Sequence, residues 1–266
     1  MAAAPFSVIN VFDLEAPYVT EYRRLLYKIL SGEAKTEVKS IMVTSAMIAE
    51  GKSTICSFIA LTASVKKGLK TLVLDADLRL PSVHKLFGLS PEPGLVETLS
   101  GALSPKDAIR KTSIDNLDIM PAGRHSSNPT EIFDAEAIGN MIEELKFYYD
   151  LIMVDCAPLL PVSDPMMLAP HVDGTILVVK AGATQRELVE RATSILNPSQ
   201  NNVLGVVLNN MNHILPYYYD YDYYHYDYGR SPSRKNEGPK RPVNEKRDTG
   251  KSGKKDQTLK DNISHN

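Results

Sequence analysis

Cysteine is scarce, long apolar runs are missing and neither sign of charge dominates, and each absence closes off a class of protein. Only two cysteines occur in 266 residues, Cys56 and Cys156. They lack metal-ligand spacing and fall in separate predicted elements, so reduced cytosolic thiols are expected. No apolar stretch approaches the roughly 18–20 residues that span a bilayer. The opening Met-Ala-Ala-Ala-Pro has no basic region followed by an apolar run, so no signal peptide is expected. Lys and Arg number 30 against 32 Asp and Glu, so no global field points to nucleic acid. The balance is uneven along the chain. From Arg230 onward 11 cationic residues face 5 acidic ones, leaving 19 against 27 before it. The expectation is an acidic globular part with a basic tail.

Helical spacing runs from Tyr18 to Leu30, with Tyr22, Leu25, Leu26 and Ile29 apolar. Continuous apolar runs then follow at Ile41–Val43, Thr71–Leu74, Leu117–Met120, Leu151–Val154, Thr175–Val179 and Val203–Leu208. Runs without alternation suit strands buried on both faces of a parallel sheet. Helical stretches lie between most of them: Ser53–Lys66, amphipathic in pattern, Pro129–Tyr148, and Gln185–Leu196 with Thr184 as N-cap. Strand alternating with helix predicts a three-layer α/β fold around a mostly parallel sheet. Composition changes sharply after residue 215. Residues 216–229 hold 8 of the 13 tyrosines, namely Tyr217, Tyr218, Tyr219, Tyr221, Tyr223, Tyr224, Tyr226 and Tyr228, among Asp220, Asp222 and Asp227. Residues 1–229 are expected to form one domain ending in this cluster. Residues 230–266, rich in Lys, Pro, Gly and Ser, are expected to be a disordered basic tail.

Three motifs carry chemistry. The run Ala49-Glu50-Gly51-Lys52-Ser53-Thr54 sits between the first apolar strand and a helix, as a phosphate-binding loop requires. Backbone N–H groups would cradle phosphate there, Lys52 would reach the β- and γ-oxygens, and Ser53 would ligate Mg²⁺. The second motif is Asp75-Ala-Asp77 at the end of Thr71–Leu74, and the third is Asp155 at the end of Leu151–Val154. Ligands bind at that edge of an open parallel sheet, and such a strand-end aspartate suits Mg²⁺. Together they specify a nucleotide triphosphatase or kinase.

With these residues quoted, the chain resembles the bacterial tyrosine kinases of capsule and exopolysaccharide synthesis, P-loop proteins related to the ParA/MinD ATPases. Further matches are Arg79, Pro81 and His84, Pro121-Ala122-Gly123, Asn128-Pro129-Thr130-Glu131, Gly205 through Asn209, and the tyrosine cluster. The resemblance implies an ATP- and Mg²⁺-dependent kinase that phosphorylates its own tyrosine cluster, between subunits. It implies Lys52, Asp75 and Asp77 as catalytic, Asp75 accepting the tyrosine proton. Residues 49–54 and Asn209 would hold nucleotide, and Ser53, Asp77 and Asp155 the metal. Implied partners are a separate membrane-embedded modulator of the polysaccharide co-polymerase type, a cognate tyrosine phosphatase and further copies in a ring. The modulator would recruit the kinase to the inner face of the cell membrane.

Departures from the family pattern matter too. Partitioning ATPases carry a second lysine where this chain has Met47, so their sandwich dimer is disfavoured. The family's Pro-Gly before Glu-Gly-Lys is Ile48-Ala49 here, harmless only if Ala49 has negative φ. The oligomerisation helix offers Glu21 and Arg24 but then Tyr27 in place of a final arginine. A ParA/MinD-like ATPase switch and a weakly active scaffold are the rival readings.

Overall fold

The computed structural model describes residues 7–31, 38–196 and 202–210. Strands are β1 (Ser40–Ser45), β2 (Thr71–Asp75), β3 (Arg110–Lys111), β4 (Leu117–Met120), β5 (Leu151–Asp155), β6 (Gly174–Lys180) and β7 (Val203–Asn209). They form one sheet in the order β3-β4-β2-β5-β1-β6-β7, parallel throughout except for β3 against β4. Helices are α1 (Val8–Val11), α2 (Pro17–Leu30), α3 (Lys52–Lys67), α4 (Val83–Phe87), α5 (Leu95–Leu99) and α6 (Pro105–Ala108). They continue as α7 (Pro129–Ile132), α8 (Ala135–Leu145), α9 (Asp164–Leu168) and α10 (Arg186–Leu196).

The apolar runs alternate faces along each strand, so both sides of the sheet need cover. Ile41, Val43, Val73, Leu151, Met153, Ile176 and Val178 pack with α2 and α3. Met42, Leu72, Leu74, Ile152, Val154 and Leu177 pack with α5, α8 and α10. This is the three-layer arrangement expected from the alternation of elements. Each layer boundary is a separate apolar core, which fixes strand register because a one-residue slip would exchange the faces.

Four local expectations change. The single helix over Pro129–Tyr148 is two helices, because Phe133 is extended (φ −68°, ψ 103°) and Asp134 caps α8, accepting from the Ala137 N–H. The outer face of α3 is buried rather than wet: α2 lies across it and Tyr22 stacks on Phe58 at 5.2 Å. Edge strand β7 is not covered on both faces, and Val206 and Leu208 are exposed. Thr184 does not cap α10, since its hydroxyl donates instead to the Glu50 carboxylate. The tyrosine cluster and the tail fall outside the described residues.

Candidate functional site

Strands β1, β2 and β5 lie side by side and end at one edge, which sets the site. The β1 end feeds a tight loop, and Asp75 and Asp155 are register partners across β2 and β5. Gly51 has φ 90°, and a side-chain carbon there would collide with the Asn209 amide. Only glycine fits both constraints. Asn209, at the end of β7, donates from Nδ2 to the Glu50 carbonyl at 2.9 Å. The Glu50 carboxylate accepts the Met47 N–H at 2.8 Å and the Thr184 hydroxyl. Glu50 and Asn209 therefore brace the loop from behind. Ala49 has φ 60°, so the alanine sits in left-handed backbone where glycine is the comfortable residue.

A cavity of about 250 Å³ opens beside the loop, lined by Ala49, Gly51, Lys52, Ser53, Thr54 and Asp77. A larger groove of about 830 Å³ lies between α2 and the far end of α3, with none of the strand-end acids in its lining. Size does not locate the chemistry here. The acids do.

Lys52 Nζ lies 2.8 Å from Asp77 Oδ2 and 3.9 Å from Asp155 Oδ1. Burial would lower the Lys52 pKa, but Asp155 and Asp77, with Asp75 behind them, raise it above the ordinary lysine value. The ammonium stays charged, as a phosphate-binding lysine must. Asp77 Oδ1 accepts the backbone N–H groups of Arg79 and Leu80 at 3.3 and 3.0 Å. Asp155 differs: it is fully buried and neither oxygen has a hydrogen-bond partner among the described residues. Burial pushes its pKa up to about 6, opposed by Lys52 and by the nearby Ser53 hydroxyl, which stops short of hydrogen-bond geometry. Such an orphaned carboxylate beside Ser53 suits a divalent cation, which would supply the missing partner. Among the described residues no three His, Cys, Asp or Glu side chains form a metal cage. Magnesium in phosphate sites needs none, since it is held by one or two carboxylates and by phosphate oxygens. The residues therefore fit Mg²⁺.

Asp75 is placed differently from Asp77. It does not line the cavity, and its Oδ2 accepts the Ser82 and Val83 N–H groups at 3.1 and 3.0 Å. It thus ties the turn after β2 to the strand end. Burial and the Asp155 charge raise its pKa well above the usual carboxylate range. Asp164 has no sequence signal: Arg79 pairs with this buried aspartate at 3.2 Å and donates to Thr130 at 2.8 Å, pinning the same turn to α9 and α7. Asp164 stands alone in a Ser-Asp-Pro turn, and only its near-complete burial beside an arginine marks it.

A strand-loop-helix phosphate cradle with a half-buried lysine and buried strand-end carboxylates defines a nucleotide-binding P-loop protein. Comparison with known proteins agrees. The ParA model, described as NUBPL iron-transfer P-loop NTPase, matches residues 37–231. The Bacillus subtilis tyrosine-protein kinase YwqD is 31% identical over 203 residues, covering 76% of this chain and 85% of that protein. Tyrosine-protein kinase CpsD of Streptococcus agalactiae serotype III is 36% identical over 200 residues, 75% of this chain and 86% of its own. ExoP of Rhizobium meliloti, a succinoglycan biosynthesis transport protein, is 38% identical over 229 residues, 82% of this chain but 28% of ExoP. The kinase domain of Escherichia coli tyrosine kinase ETK superposes with TM-score 0.72 at 28% identity, covering 79% of this chain and 82% of that domain. The chain belongs to the ParA-like P-loop NTPases and, among them, to the bacterial tyrosine-protein kinases.

Proposed function

We propose that this kinase uses ATP and Mg²⁺ to phosphorylate the tyrosines between Tyr217 and Tyr228 of a neighbouring copy, and thereby regulates capsule or exopolysaccharide synthesis. The orphaned Asp155 carboxylate beside Ser53 and Lys52 is the observation that carries the metal-nucleotide part of this reading. Phosphoryl transfer needs positioning and charge neutralisation above all. Residues 49–54 would wrap the phosphates, and Lys52 would exchange Asp77 for phosphate oxygens. Ser53 and Asp155 would hold the metal, with Asp77 joining once its Lys52 contact is released. Bound Mg²⁺ would supply neutralisation of charge on the phosphate oxygens. The tyrosine oxygen attacks the γ-phosphorus, the bond to the β-phosphate oxygen breaks, and ADP leaves. Asp75 would take the phenol proton. Because it now binds the Ser82 and Val83 N–H groups, the turn over 78–83 has to shift for a hydroxyl to reach it.

The ExoP likeness supports a role in polysaccharide synthesis. A separate membrane-embedded modulator, a ring of copies and a cognate tyrosine phosphatase belong to the same proposal. No helix among the described residues is long and apolar enough to cross a membrane, so recruitment to the inner face of the membrane would fall to the modulator. The left-handed Ala49 favours one second reading, a scaffold with weakened nucleotide binding. Incubation with γ-labelled ATP decides between these readings. The kinase should label its own tyrosines, and Lys52→Ala should lose the label while keeping its fold by circular dichroism. Phosphate release without labelled tyrosine would point to an ATPase switch, and label retained by Lys52→Ala would refute the site.

A further inference from the structure

A second cavity, about 330 Å³, lies at the sheet edge opposite the nucleotide site. We propose that it binds a small hydroxyl-bearing organic phosphate, of the glycosyl phosphate class. Its floor is Asp118, a carboxylate inside the apolar strand β4 and only 3% exposed. Oδ2 of Asp118 accepts from the Tyr149 hydroxyl at 2.8 Å and from Lys111 at 2.7 Å. The other oxygen takes no hydrogen bond among the described residues, and the residue lines the cavity. That leaves one acceptor oxygen for a ligand O–H group.

The rim supplies the opposite chemistry. Lys70 sits 5.1 Å above the Tyr149 ring and Lys106 sits 5.2 Å above the Tyr148 ring. Neither ammonium has an ion-pair partner among the described residues. A cation resting on a ring face gains less than it would from a charge-assisted contact with phosphate. Among the lining residues Asp118 balances Lys111 and Glu144 offsets one rim lysine, so the lining itself carries a net of one positive charge. Moving Lys106 onto phosphate would bare the half-exposed Tyr148 ring, a flat apolar surface suited to the C–H face of a sugar. The volume is at the low end for ligand pockets, which favours one ring over a dinucleotide.

The cavity is also joined to the catalytic edge. The Lys70 N–H donates to Asp150 Oδ2 and its carbonyl accepts the Asp150 N–H, both at 2.8 Å. Lys70 leads into β2, which ends at Asp75, and Asp150 into β5, which ends at Asp155. Five extended residues, about 16 Å, separate the two edges.

Calorimetric titration of the full chain with glucose 1-phosphate tests the proposal, with inorganic phosphate and UMP run alongside. Binding should be at least tenfold tighter for glucose 1-phosphate than for either control. Asp118→Asn and Lys106→Glu should each weaken it at least tenfold. Lys106 is exposed, so that variant remains informative if Asp118→Asn fails to fold. No heat at millimolar sugar phosphate, equal binding of inorganic phosphate or UMP, or binding untouched by Lys106→Glu would overturn it. The readout needs no catalysis, so it stands or falls separately from the kinase reading.

Discussion

Replacing Asp155 by asparagine should stabilise the nucleotide-free protein while abolishing its activity. The carboxylate is fully buried, and its pKa rises from 3.8 to about 6. A tenfold difference in proton affinity between folded and unfolded chain is worth about 1.4 kcal/mol, so holding Asp155 ionised in the fold costs about 3 kcal/mol above pH 6. The sign follows from proton binding. The folded state holds this proton more tightly than the unfolded chain does, so the cost is absent below about pH 4, grows between 4 and 6, and is complete above 6. An asparagine amide buried without partners costs roughly 1–2 kcal/mol at every pH. The net gain for Asp155→Asn at pH 7.5 is then about 1 kcal/mol, or about 2–4 °C in melting temperature for a domain of this size. Thermal unfolding in EDTA should show that gap at pH 7.5 and its loss by pH 4.5. Added Mg²⁺ and ATP analogue should reverse the order, because only the parent gains a ligand. An asparagine variant no more stable at pH 7.5, or a gap indifferent to pH, would refute the assignment of Asp155 as the site's unsatisfied charge.

Ala49→Gly relieves left-handed strain of about 1 kcal/mol that the nucleotide-free loop already carries, so denaturant unfolding should show a gain of about that size. An unchanged stability would mean that the loop carries no such strain. Asn209→Ala removes the 2.9 Å bond to the Glu50 carbonyl and should cost about 1 kcal/mol of stability, with a matching loss of nucleotide affinity. Stability lost without affinity would limit Asn209 to holding β7. Asp75→Asn should keep nucleotide binding and lose tyrosine labelling. Loss of both would instead make Asp75 a purely structural cap of the following turn.

The apolar runs located β1, β2 and β4 to β6 within a residue or two, because burial on both faces leaves an uninterrupted hydrophobic signature, and an apolar run located β7 too although one face of it is open. Strand β3, two residues long and antiparallel, has no such signature and depends on pairing with β4. The break at Phe133 between α7 and α8 was hidden by helical spacing on both sides of it. The loop, its lysine and the acidic strand ends were legible because each follows directly from local order along the chain. The bracing of that loop by Thr184 and Asn209 was not, since both contacts join residues more than 130 positions apart. The Arg79–Asp164 clamp escaped for the same reason. Whether Ala49 was harmless depended on a single backbone angle, which no residue pattern encodes.

The matched family region begins at residue 37, so its boundary leaves out α1 and α2. Yet Tyr18, Tyr22 and Phe12 roof Phe58 on the helix that starts at the lysine of the phosphate loop. A fragment trimmed to that region would strip shingles from the helix and wet Phe58. Its tendency to clump would then reflect the missing cover, not any property of the intact enzyme.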